Sequence, residues 1–110
     1  MEITKLSIEG KGVISLVDIL KRKFSGYYFS SDNIFAFATT EYSIRVNTDM
    51  LSVIILNLKN RNKCEIEIIS GGSAVGLIQI VWNPERSRNG QIVKILDEIC
   101  KQNSWKMNKE

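Results

Sequence analysis

Leu51-Ser52-Val53-Ile54-Ile55-Leu56-Asn57-Leu58, followed after a polar turn by Cys64-Glu65-Ile66-Glu67-Ile68-Ile69, decides the fold class. In the second stretch the alternation is clean: Glu65 and Glu67 point one way, and Cys64, Ile66 and Ile68 the other. That period of two is the mark of a strand with one buried face. The first stretch is apolar on both sides, with Leu51, Val53 and Ile55 opposing Ile54, Leu56 and Leu58. A strand of this kind is either central and covered on both faces, or it commits one face to a partner. Lys59-Asn60-Arg61-Asn62-Lys63 joins the two strands as a polar turn.

Upstream, Ile34 to about Val46 reads as a longer strand with Ile34, Ala36, Ala38, Tyr42 and Ile44 on one face. The small Ala36 and Ala38 would let a helix approach the sheet closely on that side. Ser30-Ser31-Asp32-Asn33 has turn chemistry, and Tyr27-Tyr28-Phe29 before it is β-rich. Val13, Leu16, Val17, Leu20 and Phe24 share one helical face, with Lys21, Arg22 and Lys23 at the end where cations suit the helix dipole. Gly26 stops that helix, and Ile3 to Ile8 forms a first strand that Gly10-Lys11-Gly12 breaks.

Downstream, the glycine-rich segment Ser70-Gly71-Gly72-Ser73-Ala74-Val75-Gly76 reads as a turn between two strands, the second being Leu77 to Trp82. Asn83-Pro84 supplies a helix start, although Gly90 delays the regular helix to Gln91. Ile92, Ile95, Leu96, Ile99 and Cys100 then give its apolar stripe. The order is strand, helix, a meander of four to five strands, and a closing helix. Without βαβ repetition, this predicts an α+β two-layer sandwich with a largely antiparallel, helix-grip-like sheet. Residues 1–106 form one domain, and 107–110 are a tail that either stays disordered or tucks Trp105 and Met107 back onto the core.

Composition bounds the function. The 110 residues carry 44% hydrophobic and 25% charged residues, ordinary for a globular domain, with a net charge of +3. Met1 to Lys5 does not read as a signal peptide, and no apolar run reaches the ~20 residues of a membrane helix. Two cysteines without a CxxC pair, and no histidine, predict a cytoplasmic, reduced protein with no metal site. The missing histidine also removes the commonest general base, and no GxSxG elbow is present, so no enzyme and no cofactor are expected.

The glycine-rich segment is the place to look for a ligand: Ser70, Gly71, Gly72, Ser73 and Gly76, with Arg45 as charged companion. Clustered glycines free backbone N–H groups to cradle an anion. They equally suit a hairpin turn that needs positive φ at Gly71 or Gly72. The segment opens a strand and lacks the lysine of a phosphate loop. Lys21-Arg22-Lys23, Lys59-Arg61-Lys63 and Arg86-Arg88 would form a phosphate-binding patch if they converged, with Tyr27, Tyr28 or Phe29 stacking bases.

From Tyr42 to Pro84 the chain resembles a family of small uncharacterised prokaryotic proteins with a Ser-Gly-Gly-Gly-x-Gly turn between two strands. Tyr42, Arg45 and Asn47 match the end of its aromatic-rich strand, Val53 to Leu56 its β-branched strand, Ser70-Gly71-Gly72 and Gly76 its glycine turn, and Trp82 the tryptophan of its last strand. Ser73 stands in place of the third glycine. The resemblance implies an intracellular prokaryotic protein of similar fold and implies no activity. The expected function is therefore a non-catalytic binding domain that self-associates as a homodimer. A small apolar-ligand carrier with a pocket between sheet and closing helix is the second reading, and a nucleic-acid-associated protein the third.

Overall fold

A computed structural model describes residues 2–24, 26–43, 48–72 and 84–109. Among the described residues six strands form one antiparallel sheet in the order β2-β3-β4-β5-β1-β6. They are β1 (Glu2–Glu9), β2 (Tyr27–Ser31), β3 (Ile34–Ser43), β4 (Thr48–Asn60), β5 (Lys63–Gly72) and β6 (Lys106–Lys109). A 3-10 turn, Val13–Ser15, leads into α1 (Leu16–Lys23), and the long α2 spans Pro84–Asn103. The α+β class and the antiparallel sheet follow the sequence reading. Among the described residues no helix is long and apolar enough to cross a membrane.

The alternation in β4 and β5 sorts the sheet into two unlike faces. Leu6 and Ile8 of β1, Cys64, Ile66 and Ile68 of β5, Ile54, Leu56 and Leu58 of β4, and Phe37 of β3 are buried on one face. They join Leu16, Val17 and Leu20 of α1 and Ile92, Leu96, Ile99 and Cys100 of α2 in one core cluster. α2 lies mainly over β1 and β5. Burial of such side chains contributes about 1.5–3 kcal/mol each, so this single layer of contacts holds the helices to the sheet.

Ala36 and Ala38 prove to be on the opposite face, away from the helices. The bulky neighbours Phe35 and Phe37 turn inward instead, because they fill far more core volume than alanine can. Gly26, at φ 137°, carries the chain from α1 into β2, and a Cβ there would strike the Ala38 carbonyl.

Two expectations at the C-terminal end need correction. α2 begins at Pro84 rather than Gln91, with Gly90 inside it. Gly90 is exposed and a Cβ on it would meet no atom within 4 Å. Gly90→Ala is therefore expected to raise the stability in urea unfolding by about 0.5–1 kcal/mol, the helix-propensity difference. The other correction concerns the tail: Lys106–Lys109 pair with β1, Met107 opposite Ile8, instead of staying disordered. Trp105 anchors them. Ser104 takes the left-handed conformation at φ 60°, Trp105 N–H closes back on the Cys100 carbonyl at 2.9 Å, and its indole N–H donates to the Lys11 carbonyl at 2.9 Å. The ring then packs where a Cβ on Gly10 would sit.

Candidate interaction face

The face away from the helices is built by the residues that alternate with the core. One row runs straight across five strands: Tyr27 opposite Ala38, Ala38 opposite Val53, Val53 opposite Ile69, and Ile69 opposite Ile3. Every member is apolar or aromatic. Phe29, Ala36 and Ile55 extend it on one side in register, and Leu51 on the other. Leu51 is 48% exposed, Ile3 53%, Phe29 64% and Tyr27 87%. Val53, Ile55, Ile69, Ala36 and Ala38 are half-buried. No described residue of another element covers them.

Polarity then rises toward one corner. Glu67 and Lys5 are paired in register and approach to 3.5 Å, Lys59 reaches Glu65 at 3.5 Å, and Lys63 reaches Glu9 at 3.5 Å. These pairs are solvent-exposed and worth little stability. Their effect is to rim an apolar field with charge, the anatomy of a protein interface. A concavity of about 400 Å³ lies on this face, lined by Lys5, Ile34, Ile55, Asn57, Glu65 and Glu67. The nine apolar positions, each covering about 4.8 Å by about 6.6 Å, give a patch on the order of 300 Å². Patches of that size are often functional.

Of the described ligand residues expected from the sequence, Gly71 falls on this face beside Leu51, and Ser70 falls on the helix face. Ser70, Gly71 and Gly72 are not a turn: they continue β5, paired with Ser52, Leu51 and Met50. Gly71 has no positive φ, and a Cβ on it would face open space. Ser73, Gly76 and Arg45 lie outside the described residues, as do Leu77 to Trp82.

Ser70 is fully buried under α2. Its hydroxyl lies 2.8 Å from that of Ser52 and donates to Asn89 Oδ1. Having given its one hydrogen to Asn89, Ser70 must accept from Ser52. Asn89 Nδ2 in turn donates to Thr4 Oγ1 at 3.0 Å and to the Ile68 carbonyl at 3.1 Å. This chain of donors joins β4, β5, β1 and α2 within the core. Asn89 carries no signal in the sequence, since an asparagine on a helix ordinarily faces water; only its place one turn ahead of Ile92 and Val93 marks it as inward-facing.

Neither cysteine is placed for chemistry. Burial pushes the Cys64 thiol up to about 12 and the Cys100 thiol up to about 11, so both stay protonated and unreactive at neutral pH. No protein-family model, no curated protein and no solved structure matches the chain.

Proposed function

We propose that this domain is a non-catalytic interaction module that self-associates, two copies packing their open sheet faces together. The observation that carries the reading is the row Tyr27-Ala38-Val53-Ile69-Ile3, apolar across five strands, exposed at its two ends and half-buried between them. A two-fold axis near Val53 would lay this row on its own copy while the charged corners stay outside in water. The two-faced pattern of β4 is then explained, one side serving the fold and the other the partner. The same face would keep a helix-grip-like sheet layered rather than open on one side. Such a module belongs in the reducing interior of a cell, in keeping with its two buried free thiols. The carrier reading has less support: the space between sheet and α2 is filled by Ile92, Leu96 and Ile99, each 2% exposed or less.

A sample mixed from isotope-labelled and unlabelled chains tests this arrangement. Intermolecular nuclear Overhauser effects are expected among the methyl groups of Leu51, Val53, Ile55 and Ile69. Contacts from the exposed side of α2 instead, or none at all, would overturn it.

A further inference from the structure

We infer that the groove between the free edge of β2 and the C-terminal end of α1 takes an acidic, extended peptide segment as an added strand. The two edges of the sheet are unlike. β6 is four residues long and carries Lys106 and Lys109, the charges that ordinarily guard an edge. β2, Tyr-Tyr-Phe-Ser-Ser, has no charge, no proline and no bulge, and all five of its residues are exposed. Among the described residues nothing pairs with its outer side. The two-residue turn Asp32-Asn33 closes on Ser31 opposite Ile34, and in such hairpins that pair exchanges both backbone bonds. The alternation then directs the N–H and C=O groups of Tyr28 and Ser30 outward, as a ladder awaiting a strand.

Beside this ladder lies a second concavity of about 250 Å³, lined by Lys21, Phe24, Gly26, Tyr28 and Phe37 among others. Its aromatic wall is fixed: the Tyr28 ring centroid lies 5.1 Å from that of Phe37, and Lys21 Nζ sits 4.1 Å from the Tyr28 centroid. Lys21, which lines it, is exposed, and Arg22 and Lys23 stand exposed at the same helix end. Main-chain bonds to β2 supply affinity, the concavity accepts an apolar side chain, and the cations select carboxylates on the strand's helix side. This surface is separate from the centre of the open face, so a chain that remains monomeric can still bind peptide here.

Fluorescence anisotropy on the full chain tests the inference with three labelled probes: (Val-Glu)5, (Val-Lys)5 and the oligonucleotide dT10. The acidic peptide is expected to bind about tenfold more tightly than the basic one. Lys21→Glu, which puts repulsion in place of attraction at the groove, is expected to weaken it about tenfold. Ser30→Pro removes only an outward N–H and is expected to abolish binding while the far-ultraviolet circular dichroism is kept. If that variant unfolds, the lysine variant decides alone. Equal binding of both peptides, or no loss in the variants, overturns the proposal. So does dT10 binding tighter than (Val-Glu)5, or a Ser30→Pro chain that falls from dimer to monomer, which would assign the edge to a second copy.

Discussion

Val53→Glu is expected to turn a micromolar solution of dimers into monomers without unfolding the chain. Val53 occupies the middle of the apolar row, between Ala38 and Ile69, on the face that the helices do not touch. In the free domain a glutamate there still reaches water, and its effect on folding is limited to β-propensity and lost neighbour contact, within about 1 kcal/mol. In a face-to-face dimer the same carboxylate would be desolvated opposite its own copy. A buried charge without a partner costs about 3–5 kcal/mol, which raises the dissociation constant by roughly two to four decades. Val53→Thr, similar in shape and neutral, should keep the dimer. Glu65→Gln, in the charged corner, should leave the mass unchanged. Light scattering read beside the thermal melting curve separates loss of the interface from loss of the fold.

Asn89→Ala is expected to destabilise the domain by about 2–4 kcal/mol in urea unfolding at fixed protein concentration. Removing the amide takes the acceptor from the buried Ser70 hydroxyl, which keeps only Ser52, removes a second donor from the Ile68 carbonyl in the sheet ladder, and takes a donor from Thr4. Each buried polar group left unsatisfied costs about 1–3 kcal/mol. A double-mutant cycle should expose the connection. With Ser70→Ala already in place the Asn89 amide has lost its main partner, so the further cost of Asn89→Ala should fall by about 1 kcal/mol or more. Additive losses would mean that the two side chains act independently. Concentration must be held constant because association through the open face would itself add apparent stability.

Much of this architecture is legible in the alternation of single strands. Glu65 and Glu67 fix the faces of β5, and the antiparallel register passes that assignment to β1 and β4. The double-sided β4 places Leu51, Val53 and Ile55 on the face away from the helices. β3 misleads because both its faces are apolar: only side-chain volume puts Phe35 and Phe37 inward, and volume matters once the helices are in place. Ser70-Gly71-Gly72 looks like a turn by composition. Its backbone is instead held by β4, with Ser70 buried in the donor chain, and such tertiary pairing overrides local preference. β6 escapes notice because three of its four residues are polar and its anchor is a hydrogen bond from the Trp105 indole to Lys11, far off in sequence. Asn89 is invisible for the same reason, since its partners lie on strands that only the folded sheet brings together.

Self-association through the open face is tested most directly by multi-angle light scattering of the unmodified chain at about 50 μM. The expected mass is twice the 12.5 kDa of one chain, unchanged when salt is raised, because apolar rather than ionic contacts would hold the pair. A single species of 12.5 kDa at that concentration would contradict it.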